Sequence, residues 1–247
     1  SRADRVILAG DHCQLPPTIK CIEAARGGLG RTLLEKVVLH KPETVSLLKI
    51  QYRMHEDIMR FPSRWFYHDE LEAAPEVKYR GILDFDTPVS WIDTSELDLQ
   101  EKAVAEGTGR LNTGEAELLV RELKNYMERI GIRRILEEHI DFGVISPYRA
   151  QVHYLRHLLK KEPFFRPCRR LITVHTVDGF QGQERDVIMI SLVRANEKGQ
   201  IGFLRDLRRM NVAITRARMK LLILGEAVTL TRHPFYRELY EYIGGLR

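Results

Sequence analysis

The stretch ITVHTVDGFQGQERDVIMISLVRAN, residues 172–196, decides the predicted fold. Two apolar runs, Leu171–His175 and Val187–Val193, flank its polar loop. Short, unbroken runs of Val, Ile and Leu are typical of strands that are buried on both faces, as in a parallel sheet. Within the loop, Gly179 and Gly182 let backbone amides approach a sugar-phosphate closely. The stretch therefore predicts two buried strands joined by a ligand-binding loop.

The same kind of apolar run recurs elsewhere in the chain. The further runs are Val6–Gly10, Thr44–Ile50, Phe142–Pro147 and Leu221–Gly225. Helical patterns lie between them at Tyr148–Lys160 and Arg205–Arg218, and Asn112 can cap another helix, with Glu115 completing a capping-box-like pair. Strands that alternate with helices predict an α/β fold with a mainly parallel sheet flanked by helices. In such folds ligands gather at the carboxyl ends of the strands.

Two other stretches bear on domain organisation. Residues 67–111 are rich in Asp, Glu, Gly and Pro, and they predict a long irregular connection or insertion with a short strand at Val89–Ile92. A domain break is expected near Lys41–Thr44, where Pro42 separates a helical pattern from the next strand.

The composition excludes several classes of protein. Of the 247 residues, 44% are hydrophobic and 30% are charged, which is typical of globular proteins and not of disordered or fibrous chains. No apolar run reaches the roughly 18 residues that span a bilayer, and no signal-peptide pattern occurs. We therefore expect an intracellular, cytoplasmic protein without a membrane partner. Cys13, Cys21 and Cys168 have neither disulfide-framework nor zinc spacing, so we expect reduced thiols and no metal site.

Charge is more informative by position than in total. The net charge of +5 is a mild excess that a polyanion partner explains but does not require. Between Ile201 and Lys220 there are six basic residues and one acid, so we expect the basic charge to be concentrated there. Arg216 and Arg218 would point to different sides of a helix, about 200° apart, so that one of them can face a nucleotide. A solvated basic helix is the alternative interpretation.

The segment GDHCQLPP, residues 10–17, follows the first apolar run. Gly10 permits a sharp turn, after which Asp11, His12 and Gln14 would project from the strand end toward a ligand. A structural turn with a capping Asp is the alternative.

The segment QYRMH, residues 51–55, also follows an apolar run. Arg53, beside Gln51, suits a phosphate because a guanidinium binds oxyanions bidentately and stays charged. A pair with a surface carboxylate is the more common fate of a single Arg. In the loop of residues 172–196, Glu184 could accept hydrogen bonds from ribose hydroxyls, or it could be a solvated loop charge.

Several segments taken together identify a family. In order along the chain they are GDHCQLPP, QYRMH followed by FPSRWFY, GVISPYRAQ, VDGFQGQERDVI, VRAN followed by IGFL, and NVAITRAR. Their order, spacing and residue identities closely resemble motifs III to VI of superfamily 1 helicases of the up-frameshift and immunoglobulin-mu-binding-protein type. The resemblance implies two RecA-like domains with ATP and Mg²⁺ between them, NTP hydrolysis, and translocation from 5′ to 3′ along single-stranded DNA or RNA.

The resemblance also implies roles for individual residues. The implied catalytic residues are Gln14, which would sense the γ-phosphate, and Arg53 and Arg216, which would reach it as arginine fingers. The implied nucleotide-binding residues add Gln51, Gly182 and Glu184 to these, with Glu184 on the ribose. The implied nucleic-acid-binding residues are Pro147, Thr173, His175 and Thr176.

Two motifs of the family are missing from the sequence. No match to the phosphate loop GxxxxGK[ST] occurs, since the glycine-rich residues 27–32 lack the Lys and do not follow a strand. The acidic motif that positions Mg²⁺ is missing too, because Asp69-Glu70 comes too late. We therefore expect that residues 1–43 are the tail of a first RecA-like domain and that residues 44–247 are the second. The first motor domain would be its partner, the chain would be monomeric, and the fragment alone would not hydrolyse ATP.

Two other function classes remain open from the residues alone. A passive nucleic-acid-binding module would use the same basic segment without motor activity. A metal-dependent nuclease is suggested by the ExK pattern of residues 76–78, although no strand precedes it.

Overall fold

The computed structural model describes residues 4–16, 19, 21–104 and 109–246. Parts of both predicted domains and of the connection at residues 67–111 therefore lie outside the described residues. The strands are β1 Ile50–Gln51, β2 Glu72–Ala73, β3 Val89–Asp93, β4 Lys102–Ala103, β5 Arg110–Leu111, β6 Phe142–Ser146, β7 Ile172–Thr176, β8 Arg185–Ser191 and β9 Ala217–Gly225.

Helices cover both faces of the main sheet. They are α1 Ile22–Ala24, α2 Leu33–His40, α3 Glu56–Phe66, α4 Pro75–Lys78, α5 Thr113–Ile130, α6 Ile132–Glu137, α7 Arg149–Lys161, α8 Val177–Phe180, α9 Leu207–Ile214, α10 Ala227–Leu230 and α11 Pro234–Gly244. A π-helical turn follows α1 at Ala25–Leu29, and short 3₁₀ turns occur at Pro42–Thr44, Pro163–Phe165, Arg169–Leu171 and Gly202–Arg205. None of the described helices is long and apolar enough to cross a membrane.

The main sheet has five strands in the order β3-β9-β8-β6-β7, and every neighbouring pair is parallel. Successive residues of β8 alternate between its two faces. Val187 and Met189 pack with α5 and α7, whereas Ile188 and Ile190 pack with α3, α9 and α11. The sheet is therefore buried on both sides, which confirms the α/β prediction made from its apolar runs.

Two predicted strands are wrong in whole or in part. Residues 5–10 form no strand, and of the run Thr44–Ile50 only Ile50 enters one, β1. A strand needs a partner that satisfies its backbone groups, and no described strand pairs with residues 5–10 or 44–48. Their apolar side chains are exposed instead, with Ile7 95% and Leu48 87% accessible.

The predicted helix Arg205–Arg218 is also shorter in the structure. The α-helix α9 covers only Leu207–Ile214, and Arg218 belongs to strand β9. Arg216 and Arg218 therefore do not share a helix. Arg216 directly precedes β9, and Arg218 lies within it.

The cap of α5 is confirmed, but the capping box is not. Asn112 accepts a hydrogen bond from the Glu115 N–H at 3.0 Å. The Glu115 carboxylate turns away to Ser191 and Val193, and the Asn112 N–H donates to Gln151 instead.

The predicted irregular connection at residues 67–111 holds more structure than its composition indicates. It contains α4, the whole of β3 and three two-residue strands, β2, β4 and β5. The ExK pattern lies in α4, where Lys78 pairs with Glu56 at 3.3 Å. No strand carries Glu76, so the geometry does not favour the nuclease interpretation.

Candidate nucleotide-binding site

The predicted nucleotide residues meet at the amino edge of the main sheet. Glu184 directly precedes β8 and Arg216 directly precedes β9. The carboxyl edge, which the sequence pattern favoured, is therefore not where they lie. The reason is the path of the chain, which leaves the carboxyl end of β7, forms the single turn α8 and returns to the amino edge before β8 begins.

Arg53 is placed by the turn that Gln51 holds. The Gln51 side chain accepts hydrogen bonds from the backbone N–H groups of Arg53 and Met54, at 2.8 and 2.7 Å, and donates to the Met54 carbonyl at 2.8 Å. From this turn the Arg53 guanidinium donates to Glu184 at 2.5 Å and to the Thr215 carbonyl at 3.1 Å. Because Gln51 is occupied in shaping the turn, its contact with a nucleotide stays a prediction.

Arg216 is buried, with 3% of the residue exposed. Its guanidinium donates to the carbonyls of Val212 and Gln183, at 3.0 and 3.2 Å, and to the side-chain oxygens of Gln14 and Thr215, both at 3.1 Å. All four acceptors are neutral. Burial, and next the positive charge of Arg53, lower the pKa of Arg216 to about 10, so it remains charged at neutral pH.

Gln14 belongs to a chain of polar contacts around Asp11. Asp11 accepts hydrogen bonds from Gln14 at 2.8 Å and from the Tyr67 hydroxyl at 2.5 Å. Asn211 donates to the same hydroxyl at 2.7 Å and to the Cys13 carbonyl at 3.0 Å. Burial, and next the charge of Asp11, raise the pKa of Tyr67, which keeps its hydroxyl a donor. Residues 11–14 are thus joined to the rest of the site through Tyr67 and Asn211.

The loop between α8 and β8 is anchored on both sides of Gly182. Gln181 donates to the Leu15 carbonyl at 2.9 Å, and Gln183 donates to the Gly179 carbonyl at 2.8 Å. Gly182 has a φ of +80° and open space around it. A left-handed backbone suits glycine, and here it leaves the main chain accessible to a ligand.

A second group of charges borders the site. Arg218 pairs with Asp141 at 2.9 Å, with Asp186 at 3.0 Å and with Glu184 at 3.7 Å. Glu184 thus lies between Arg53 and Arg218. Its carboxylate is engaged in ion pairs, and its contact with a ribose stays a prediction.

The predicted nucleic-acid residues do not form one cluster. Pro147 follows β6 and Thr176 ends β7, both at the carboxyl edge. Thr173 lies near the opposite edge, where its hydroxyl accepts a hydrogen bond from Arg185 at 3.0 Å. His175 lies against Gly179 so closely that a Cβ there would be 1.7 Å from its ring. Pro147 and Thr176 share an edge, whereas Thr173 does not.

Sequence reasoning did not single out Tyr67, Asn211, Asp141 or Asp186. Nothing in the local sequence marks any of these four residues, and the partner of each lies far away in the sequence. The only signal was membership of a motif, FPSRWFY for Tyr67 and NVAITRAR for Asn211.

Asp11, His12 and Cys13 bring three possible metal-ligand atoms within 4.8 Å of one another. Both oxygens of Asp11 already accept hydrogen bonds, from Cys13 N–H on one side and from Gln14 and Tyr67 on the other. Burial, and next the charge of Asp11, raise the pKa of Cys13 to about 11, which disfavours the thiolate that binds metals. These three residues therefore do not suit a metal ion.

Comparisons with known proteins show the family to which the chain belongs. The family described as AAA domain matches residues 29–228. The chain is 37% identical to an uncharacterized ATP-dependent helicase of Methanocaldococcus jannaschii, over 96% of the chain and 34% of that protein. It is 36% identical to DNA-binding protein SMUBP-2 of Rattus norvegicus, over 98% of the chain and 24% of that protein.

A third relative is a regulator of nonsense transcripts 1 homolog of Drosophila melanogaster, 35% identical over 97% of the chain and 20% of that protein. The chain therefore spans between a fifth and about a third of the length of these relatives. The parallel sheet with helices on both faces confirms the predicted α/β fold. The chain belongs to the AAA domain family, as a helicase region of the superfamily 1, up-frameshift and immunoglobulin-mu-binding-protein type.

Proposed function

We propose that this chain supplies one side of the ATP site of a nucleic-acid helicase or translocase. Arg53 and Arg216 would contact the γ-phosphate, and Gln14 would sense it through its hydrogen bond to Arg216. The observation that carries the proposal is the buried guanidinium of Arg216, whose hydrogen bonds all go to neutral oxygens. A buried cation without an anionic partner is costly, and a phosphate would relieve that cost.

The pair of arginines suits phosphoryl transfer. Negative charge on the transferred phosphoryl group and the leaving oxygen must be stabilised in the transition state. Guanidinium groups held in place before the reaction do this without reorganisation, and an arginine finger contributes roughly 10³ to 10⁵ in rate. Arg53 donates to the Thr215 carbonyl and Arg216 to the Val212 carbonyl, so each guanidinium is held by a backbone contact.

The residues fit the phosphates of ATP but not its Mg²⁺. Asp11 is saturated by hydrogen bonds, and Glu184 is paired with two arginines, Arg53 and Arg218. The sequence also contains no GxxxxGK[ST] loop. We therefore propose that a first RecA-like motor domain supplies the phosphate loop and the metal ligands, and that single-stranded DNA or RNA crosses the carboxyl edge near Pro147 and Thr176.

The test is nucleotide hydrolysis by the full-length protein. We expect Arg53→Ala and Arg216→Ala each to abolish hydrolysis stimulated by single-stranded nucleic acid, while nucleotide binding is largely spared. Arg133→Ala is the matched control, since Arg133 is exposed and its ion pair among the described residues is with Glu137 in its own helix. Wild-type turnover in either site variant would contradict the assignment.

A further inference from the structure

The largest run of exposed basic side chains lies outside the candidate site. Residues 149–170 contain seven Arg or Lys residues and a single acid, Glu162. We call the seven the basic face: they are Arg149, Arg156, Lys160, Lys161, Arg166, Arg169 and Arg170. All seven are exposed, and they belong to α7 and to the segment that joins α7 to β7.

Helical spacing aligns part of the basic face. Arg149, Arg156 and Lys160 are separated by seven and four residues, so they follow one side of α7. At about 1.5 Å per residue this stripe is about 16 Å long. Arg169 donates to the Lys160 carbonyl at 3.2 Å, which brings the joining segment against the end of the stripe. Arg169 therefore extends the stripe beyond Lys160.

Acids elsewhere in the protein do not neutralise this surface. Within the described residues no member of the basic face forms an ion pair, and Glu162 is taken by Lys124 at 3.5 Å. The arginines of α9 and β9 differ, because Arg208 pairs with Glu35 and Arg218 with Asp141. Free, exposed cations of one sign attract a polyanion through counterion release.

The basic face offers charge but little for bases to stack on. The large hydrophobic side chains that are exposed in the described part of the chain include none from residues 149–170. Tyr154 is half-buried, stacks on His157 and donates its hydroxyl to Glu117. Single-strand sites combine basic grooves with exposed aromatic platforms, whereas a duplex presents mainly phosphates. The surface therefore favours a duplex over a single strand.

We propose that the basic face binds the phosphate backbone of double-stranded nucleic acid, at a place distinct from the ATP site. The helix α7 packs on one face of the sheet and α9, which leads to Arg216, on the other. The surface would hold a duplex next to the strand on which the motor acts. The inference rests on the proposed function only in taking the ligand to be a nucleic acid.

The test compares charge-reversed variants of the full-length protein. Lys160→Glu combined with Arg170→Glu removes two cations whose side chains make no hydrogen bond within the described residues. Arg133→Glu combined with Arg237→Glu makes the same change of charge on α6 and α11. Lys160→Arg combined with Arg170→Lys keeps the charge. Each is titrated with a blunt 20-base-pair duplex over a range of salt concentrations, and its fold is checked by thermal melting.

We expect the Lys160→Glu, Arg170→Glu variant to lose about tenfold or more in duplex affinity at low salt, and the slope of log affinity against log salt to fall by about 2. The control and the charge-keeping variant should bind like wild type. Duplex affinity that is unchanged in the charge-reversed variant, or lowered equally in the control, would overturn the proposal. Hydrolysis stimulated by a single strand is measured in parallel. Its absence in the wild type would reject the proposed function, while the duplex titration still decides the basic face.

Discussion

Glu115 is a buried carboxylate at the first turn of α5. One of its oxygens accepts hydrogen bonds from the Ser191 hydroxyl at 2.5 Å and from the Val193 N–H at 2.9 Å. The other has no partner within the described residues. Val193 has a φ of +71°, which is strained for a β-branched residue, and the Glu115 hydrogen bond helps to hold it there. Burial raises the pKa of Glu115 to about 7, because its hydrogen bonds only partly oppose the loss of solvent.

A pH dependence of stability follows from this shift. The folded pKa lies above the unfolded value, so the stabilisation by proton binding is fully present below about pH 4 and is lost as the pH rises through 7. Glutamine at position 115 does not titrate. As the pH rises from 4 to 8, we therefore expect the free energy of unfolding of wild type to fall by up to about 3 kcal/mol relative to that of Glu115→Gln. Urea denaturation at several pH values measures it.

Glu117→Gln is the control for that prediction, since Glu117 lies two positions away and accepts a hydrogen bond from the hydroxyl of Tyr154 at the surface. A difference between wild type and Glu115→Gln that stays constant over the pH range would contradict the prediction.

The residues of the candidate site were predictable only in part. Gln14, Arg53 and Arg216 stand in recognisable motifs, and the structure brings all three together. Tyr67 and Asn211 were not predicted, because a contact between two residues 144 positions apart has no local pattern. The partners of Arg216 were equally hidden, since Gln14 lies 202 positions away. A motif indicates which residues act, but the fold determines what they touch.

Among the secondary-structure elements, α5 has the most heavily bonded N-terminus. The fully buried Asn112 caps it at 3.0 Å and also donates to the Leu99 carbonyl at 2.7 Å. The N-terminus of α2 is different, because Thr32 forms a capping box with Glu35 in a half-exposed place. Both helices are capped, but only one cap also connects a loop to the core.

We expect Asn112→Ala to cost about 2 to 4 kcal/mol of stability, from loss of the cap and from buried groups left unpaired. Thr32→Ala should cost about 1 kcal/mol, since water can replace its contacts. Thermal or urea denaturation of the two variants measures both costs. Equal losses would show that burial adds nothing to the cap of α5.

The success of strand prediction differs from one element to another for a physical reason. β6, β8 and β9 are apolar on both faces, and each has a neighbour on both sides, so an unbroken run of Val, Ile and Leu predicts them well. The run Val6–Gly10 has the same composition but no neighbouring strand within the described residues. Pairing between strands is a property of the fold and cannot be inferred from the composition of one segment.

The distribution of charge in the whole molecule differs from its distribution along the chain. The segment from Ile201 to Lys220 is strongly basic by sequence, yet Arg208 pairs with Glu35 at 3.2 Å and Lys220 with Asp86 at 3.2 Å. Acids from other segments neutralise much of it, and the exposed excess lies on the basic face. Its position could not be predicted, because it depends on which cations the fold leaves unpaired.

Tyr67 connects the first described segment to the rest of the molecule. We expect Tyr67→Phe to speed amide hydrogen exchange at residues 11–15, because Asp11 and Asn211 lose the hydroxyl that they share. Exchange in β6, β8 and β9 should change little. Exchange followed by mass spectrometry measures both regions.

Tyr242→Phe is the matched control, since its hydroxyl also donates within the core, to the Asp57 carbonyl at 2.7 Å, but far from residues 11–15 along the chain. Unchanged protection of residues 11–15 in Tyr67→Phe would show that other contacts hold the segment.

Arg156 also lies against an exposed edge of the parallel sheet. β7 is an edge strand, and the Arg156 guanidinium donates two hydrogen bonds to the Val174 carbonyl in it, at 3.0 and 2.6 Å. An unblocked strand edge invites pairing with another chain and thus aggregation, and a charged side chain laid across it prevents such pairing. A cation of the basic face therefore also shields part of the exposed backbone of β7.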